Sequence, residues 1–178
     1  MDRLNLRWYA LRTRSRAERV VRDQLTSRGI ESCLPLLKRV SQWKDRRKLI
    51  QWPLFPGYCF ARITLDQKLL VLQAHGVVQI VGSSNRSEAI PEEEMRAIIE
   101  MMRSASHFEQ VPYLEEGAWV EVVRGPFQGI RGKFVRRANQ CRLVLSVSLI
   151  RQAAAVEINA ADVMGVAPVM AQRSVHSL

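Results

Sequence analysis

The hydrophobic periodicity of the chain changes after residue 113, and this change divides the sequence into two predicted parts. In the first part, segments rich in aromatic and β-branched residues predict strands at 6–12, 30–40, 50–63 and 76–82. Apolar residues at helical spacing predict helices at 17–28, at 67–74 and from Pro91 to Met102. The order β-α-β-β-α-β-α is typical of an α+β layer sandwich, in which helices flank an antiparallel sheet.

The three predicted helices carry recognisable start signals. Ser15 and Glu18 have the spacing of a capping box. We therefore expect the Ser15 side chain to accept from a helical N–H and the Glu18 side chain to accept from the backbone N–H at the start of the helix. Asp66 is expected to cap the second helix. Pro91 begins the third and is followed by three glutamates in the first turn, where the helix dipole favours acids.

Beyond residue 113 the apolar residues recur at every second position, with strands predicted at 119–123, 132–135, 142–147 and 155–158. Short strands with glycine turns predict a small SH3-like five-stranded β-barrel. Valines at the strand positions disfavour an α-helical hairpin, although three alanines between 151 and 155 keep a helical segment open. We therefore expect an N-terminal domain at 1–104, a linker at 105–113, a barrel at 114–166 and a flexible tail at 167–178.

The segment Leu54–Tyr58 interrupts the third predicted strand of the first part. Pro53 and Pro56 remove backbone donors and exclude a helix, and Gly57 marks a tight bend. Four aromatic residues fall within nine positions: Trp52, Phe55, Tyr58 and Phe60. A core strand with a bend explains this pattern, and an exposed binding strand is the alternative.

The whole chain has a net charge of +10, and the excess of positive charge lies in its first 68 residues. Residues 1–68 contain 16 Lys and Arg against 6 Asp and Glu, whereas residues 69–178 contain 11 of each kind. This segregation indicates a face that meets a polyanion. The stretch 38–48 is either a solvated loop or a basic arm whose tryptophan stacks on bases. The candidate nucleic-acid-binding residues are Arg14, Arg16, Lys38, Arg39, Trp43, Lys44, Arg46, Arg47 and Lys48.

The sequence contains none of the constellations that support catalysis or metal binding. The three cysteines and three histidines are scattered, without the spacing of a disulfide framework, a zinc site or a catalytic triad. We expect neither enzymatic activity nor a cofactor. The first residues lack a signal-peptide core and no apolar run reaches the length of a membrane helix, so we expect a cytoplasmic protein.

Two groups of motifs resemble the NusG transcription-elongation family. Trp8-Tyr9, Phe55-Pro56-Gly57-Tyr58 and the segment 76–82 resemble its N-terminal domain. The stretch 117–135 resembles its KOW domain through a turn made by Gly125, Pro126, Phe127, Gly129 and Gly132. The resemblance extends from Leu6 to Val163 in the order and spacing of the family.

This resemblance implies a monomeric factor that binds the clamp helices of the largest RNA polymerase subunit and modulates pausing, termination or antitermination. The segment 68–71 would face the opposite side of the polymerase cleft, and the basic arm would lie beside upstream or non-template DNA. The residues that the resemblance assigns to polymerase binding are Trp8, Tyr9, Leu54, Phe55, Pro56, Gly57, Tyr58 and Lys68.

The resemblance also implies that the KOW domain recruits a partner, through Leu149, Ile150 and Arg151 in this chain. In the family this loop contacts termination factor Rho or a small-subunit ribosomal protein, and it carries an aromatic-Gly pair and a proline. Here Ile150 replaces the aromatic residue, and the Gly and Pro are absent. The departure weakens the expectation of Rho or ribosome contact and favours a specialised paralogue. A ribosome- or RNA-associated KOW protein is the alternative function.

Overall fold

The computed structural model describes residues 5–43, 46–83, 86–105, 107–113, 117–137 and 140–167, with the backbone alone at 39–43, 46–48 and 137. It confirms the predicted α+β class, with helices beside an N-terminal antiparallel sheet and a second sheet towards the C-terminus. Within these residues no helix is long and apolar enough to cross a membrane. Lys44 and the tail from residue 168 lie outside the described residues.

The N-terminal part contains a four-stranded antiparallel sheet in the order β2-β5-β1-β6, a separate β3-β4 hairpin and a short β7-β8 pair. The helices are α1 (Glu18–Ser27), α2 (Lys68–Leu72) and α3 (Glu92–Ser104). The strands are β1 (Arg7–Thr13), β2 (Glu31–Cys33), β3 (Leu36–Trp43), β4 (Arg46–Pro53), β5 (Tyr58–Ile63), β6 (Val77–Ile80), β7 (Gly82–Ser83) and β8 (Arg86–Ser87).

The alternation of side chains along β1 builds two cores on opposite faces of this sheet. Tyr9 and Leu11 pack with Val21 and Leu25 of α1 on one face. Trp8 and Ala10 belong to the cluster on the other face, which includes the α3 residues Met95, Ile98 and Met101. The sheet is therefore covered on both faces, by α1 and α2 on one and by α3 on the other.

The C-terminal part is one antiparallel sheet of six strands in the order β14-β10-β11-β12-β13-β9. The strands are β9 (Phe108–Val111), β10 (Ala118–Val122), β11 (Arg131–Arg137), β12 (Gln140–Val147), β13 (Gln152–Glu157) and β14 (Val163–Gly165). Five of them lie within 114–166, where five were expected, and the alanines of 151–155 belong to a strand. The sixth, β9, lies within the predicted linker 105–113 and pairs with β13. The domain boundaries themselves stay a prediction.

Three local expectations were wrong. The segment 30–40 is not one strand, because Pro35 separates β2 of the main sheet from β3 of the hairpin. Ser15 does not cap α1, since the helix begins at Glu18 after Ala17 and no side chain caps it. Asp66 does not cap α2; instead, a 3-10 turn precedes the helix, and the Thr64 N–H donates to Gln67 Oε1 at 3.2 Å.

The two parts of the chain meet along α3. One hydrophobic cluster contains buried residues of α3 together with Leu143 and Leu145 of β12. At the junction, the Glu94 carboxylate accepts from the Ser148 N–H at 3.0 Å and from Ser148 Oγ at 2.7 Å. A cavity of about 320 Å³ remains between α3 and the C-terminal sheet. Helix α3 is thus packed between the two sheets.

Candidate functional site

The Leu54–Tyr58 turn is fixed by backbone hydrogen bonds at both of its ends. The Leu54 N–H donates to the Pro35 carbonyl at 2.8 Å, and the Tyr58 N–H donates to the Phe55 carbonyl at 3.1 Å. Gly57 adopts a φ of +84°, a left-handed conformation that L-residues with side chains rarely adopt. The turn is therefore a defined element that connects β4 to β5.

Most of the predicted polymerase-binding aromatic side chains are buried rather than exposed. Phe55 is only 1% exposed, and its ring meets the Phe60 ring edge-on at 6.0 Å. Trp8, Tyr9 and Leu54 are buried as well, and Trp8 and Tyr9 lie on opposite faces of the sheet. Of the two interpretations of this segment, the core strand describes Phe55, because the chain enters the turn with Leu54 and Phe55 directed into the core. A contact of Phe55 with polymerase stays a prediction.

Other parts of the same region are open to solvent. Pro56 is exposed at the tip of the turn, and Tyr58 and Lys68 are half-buried. Trp52, two residues before Leu54, is 53% exposed, although it is not among the residues that the family resemblance assigns to polymerase binding. Large apolar side chains are also exposed around Lys68: Leu65, Leu69, Leu70 and Leu72.

The turn is joined to the loop between β1 and α1. The Glu18 carboxylate, which is buried, accepts a hydrogen bond from the Gly57 N–H at 2.8 Å. The Thr13 N–H donates to the Gly57 carbonyl, also at 2.8 Å. The capping-box pattern predicts that the Glu18 carboxylate accepts from a backbone N–H at the start of its own helix. No local signal indicates a partner 39 residues away.

Exposed cations lie on the loop before α1 and at the base of the β3-β4 hairpin. Arg14, Arg16 and Lys38 are exposed, as expected for nucleic-acid contacts. Arg19 of α1 connects the two regions, because its Nη2 donates to the Gln51 carbonyl at 3.0 Å and Gln51 is the register partner of Lys38. The remaining predicted contacts have side chains outside the described part: Arg39, Trp43, Lys44, Arg46, Arg47 and Lys48.

The predicted partner-binding loop faces α3 and the segment before β10. Ile150 is buried and Leu149 half-buried, both in or against the cluster that includes α3. Arg151 is exposed in a left-handed conformation (φ +51°), with its guanidinium 5.0 Å from the centre of the Tyr113 ring. Desolvation by burial raises the pKa of Glu94, which holds Ser148 at the start of this loop, and the hydrogen bonds from Ser148 oppose the rise.

The turn between β10 and β11 contains the glycines singled out in the sequence. The Gly129 N–H donates to the Val122 carbonyl at 2.8 Å, and Phe127 is buried beneath the turn. Gly125 and Pro126 are exposed at its outer side. A Cβ at Gly132 would lie 2.8 Å from the Val144 carbonyl oxygen, so β11 approaches β12 closely there.

The described residues contain no group of His, Cys, Asp and Glu able to hold a metal ion. Burial is the main cause that raises the pKa of both Cys33 and Cys59 to about 12. A thiol must lose its proton to act as a nucleophile, so these two cysteines are unreactive near neutral pH. What the region offers is an exposed apolar and basic surface that is suited to binding.

Comparisons of the sequence with known proteins identify one family. The family model "Transcription termination factor nusG" matches residues 6–99. Two proteins of Helicobacter pylori, from strains J99 and 26695, are each named "Transcription termination/antitermination protein NusG". Each is 26% identical over 165 residues, covering 85% of this chain and 93% of the relative. A solved structure, "Domain interaction in Thermotoga maritima NusG", has a similar fold, with a TM-score of 0.50 at 19% identity over 90% of this chain and 97% of that one.

Proposed function

The chain belongs to the NusG family of transcription factors, which are not enzymes, and we propose that it is an elongation or antitermination regulator that binds RNA polymerase. The N-terminal part would bind the clamp helices of the largest subunit, and the C-terminal sheet would recruit a partner. The observation that carries the proposal is the family match over residues 6–99, which contain the turn, α2 and most of the excess positive charge. Binding to polymerase would put the protein in the cytoplasm.

The polymerase surface is best supported around the Leu54–Tyr58 turn. Pro56, Tyr58 and Trp52 offer apolar and aromatic area to a partner, while Phe55 supports the turn from beneath. The exposed leucines around Lys68 give the second predicted contact an apolar surface of its own. Large aromatic side chains at the centre of an interface typically dominate its binding energy.

The test of this surface is the affinity of the whole protein for core RNA polymerase. Tyr58→Ala and Trp52→Ala should each weaken binding by about tenfold or more, which is the scale of an interface hot spot. Met164→Ala is the matched control, because it removes an exposed apolar side chain from β14. Unchanged affinity in both aromatic variants would contradict the docking proposal.

The nucleic-acid surface is best supported by the charge segregation and by the exposed cations Arg14, Arg16, Arg19 and Lys38. Replacing Arg46, Arg47 and Lys48 by alanine should flatten the salt dependence of binding to a DNA-containing elongation complex. Each lost phosphate contact reduces the slope of log affinity against log salt by about 0.9. Binding to bare polymerase should stay nearly unchanged.

The matched control for this test removes the same charge elsewhere. Arg96, Arg103 and Arg136 are exposed outside the basic region, and their triple alanine variant should leave the slope unaltered. Equal losses on bare polymerase and on the elongation complex would assign the arm to protein rather than DNA. Co-purification with ribosomal subunits in place of polymerase would favour the alternative function as a ribosome-associated KOW protein.

Partner recruitment is proposed for Leu149, Ile150 and Arg151. Arg151 is the exposed member of this loop, whereas Ile150 is buried and Ser148 is held by Glu94. Titration of the whole protein with purified Rho or a purified small-subunit ribosomal protein tests the two usual partners of the family. If Arg151→Ala weakens binding of one of them, that partner is assigned; if neither binds, the partner is a different one.

A further inference from the structure

Three separate segments of the N-terminal part are joined around Glu18. The Glu18 carboxylate accepts from the Gly57 N–H, and the Thr13 N–H donates to the Gly57 carbonyl, so the turn is held on both sides. The next residue, Arg14, donates its N–H to the Gly76 carbonyl at 2.8 Å. The loop before α1 therefore bonds both the turn before β5 and the turn before β6.

Packing tightens the same junction. Gly76 adopts a φ of +98°, and a Cβ there would lie 2.8 Å from the Ala17 Cβ. Gln24 of α1 adds two bonds to this turn, since its Oε1 accepts from the His75 N–H and its Nε2 donates to the His75 carbonyl, both at 3.0 Å. The turn before β6 is thus fixed against α1, as the Gly57 turn is.

Glu18 differs from the other groups at this junction because it is a carboxylate and only 5% exposed. As the first residue of α1, it lies at the positive end of the helix dipole. A charged acceptor makes a stronger bond to an N–H than a neutral one does. Among the described residues the Gly57 N–H has no other acceptor, so removing the carboxylate leaves that donor without a partner in the protein.

We propose that Glu18 is a positioning residue that locks the Gly57 turn to the Arg14–Arg16 loop, so that polymerase and DNA are contacted by one rigid unit. Arg16 fits this arrangement, because it holds a left-handed φ of +63° between Thr13 and Glu18. The inference rests on the proposed function for the identity of the two ligands. The lock itself is a property of the folded chain and can be tested without either ligand.

The first measurement is amide hydrogen exchange by NMR on the whole protein. In Glu18→Ala, the Gly57 and Thr13 amides should lose protection together, by tenfold or more, while Val21 in α1 keeps its protection. Glu18→Gln retains an acceptor oxygen and should restore most of the protection. Loss at Gly57 alone, with Thr13 unchanged, would show that the two segments are not one unit and would overturn the proposal.

The second measurement compares binding of the same variants to core polymerase and to a DNA-containing elongation complex. Glu18→Ala should weaken both by about tenfold or more, with Glu18→Gln close to wild type. Asp23→Ala removes an exposed carboxylate from the same helix and should change neither. Leu25→Ala removes a buried side chain about two helical turns beyond Glu18 and destabilises α1, and below its melting temperature this variant should bind normally.

The two measurements separate the possible failures. If the wild-type protein does not bind polymerase, the proposed function fails, and the exchange data still decide whether Glu18 locks the segments. If polymerase binds but Glu18→Ala loses exchange protection without losing affinity, the lock has no role in binding and the positioning assignment is wrong. If affinity falls equally in Leu25→Ala and Glu18→Ala, the effect is general destabilisation of the fold, which also overturns the positioning assignment.

Discussion

Replacing Phe55 tests whether the turn is anchored in the core. The Phe55 side chain is almost fully buried, and its ring packs edge-on against Phe60 in the cluster that also contains Trp8 and Leu54. Alanine at this position removes the ring and leaves a cavity on the α3 face of the sheet. The change should therefore lower the stability of the fold as well as loosen the turn.

The size of the loss follows from the burial. Truncating a buried Phe to Ala costs about 3–5 kcal/mol, which includes both the lost transfer of the ring and the cavity. The edge-on pair with Phe60 is the kind of aromatic contact that adds about 0.5–1.5 kcal/mol, so the upper half of that range applies. For a chain of this length each kcal/mol corresponds to about 2–4 °C, so a loss in the upper half of the range should lower the melting temperature by roughly 8–20 °C.

Thermal unfolding followed by circular dichroism measures this change, and binding to core polymerase is measured well below the melting temperature. Tyr58→Ala is the control, because Tyr58 is half-buried and should lose less stability while losing more polymerase affinity than its stability change explains. A melting temperature of Phe55→Ala within about 2 °C of wild type would refute the reasoning, since an uncollapsed core cavity cannot cost so little.

Two further predictions concern the junction and the C-terminal sheet. Because burial raises the pKa of Glu94, the folded state binds its proton more tightly than the unfolded state does, so this group's contribution to stability is largest below the usual carboxyl range and falls as the pH rises through the folded pKa. The melting temperature of wild type relative to Glu94→Gln should therefore decline with rising pH above about 4.3, and a constant difference would contradict this. Since β9 pairs with β13, the fragment 105–167 should melt higher than 113–167, and equal melting temperatures would show that β9 adds nothing.

The sequence predicted elements whose cause is local. The period-two pattern around Val120 and Val144 is imposed by the pleat of each strand, so the C-terminal sheet could be inferred without knowing which strands are neighbours. Pro91 and the glutamates after it likewise mark the start of α3 correctly, because proline and acidic side chains act on the first helical turn itself.

Features that depend on distant partners could not be predicted in this way. The capping-box pattern predicts a local hydrogen bond for Glu18. Instead, its carboxylate accepts from the Gly57 N–H, which the sheet brings close. The aromatic pattern around Phe55 predicts a strand, but the burial of Phe55 depends on Phe60 and α3, which cover it. Strand β9 was missed because four residues give little periodicity, and its partner β13 lies more than 40 residues further along the chain.

The pairing of β9 with β13 also determines how far the C-terminal sheet can travel. Only residues 105–107 separate the end of α3 from β9, and a chain extends at most about 3.6 Å per residue, so the sheet could leave α3 by only about 14 Å while β9 stays paired. Such a short tether keeps the local concentration of the sheet near α3 high and favours rapid return. If β9 peels away, the free chain reaches to β10 at Ala118 and the range grows to about 50 Å. Whether the edge strand β9 is paired therefore sets the length of the tether between α3 and the rest of the sheet.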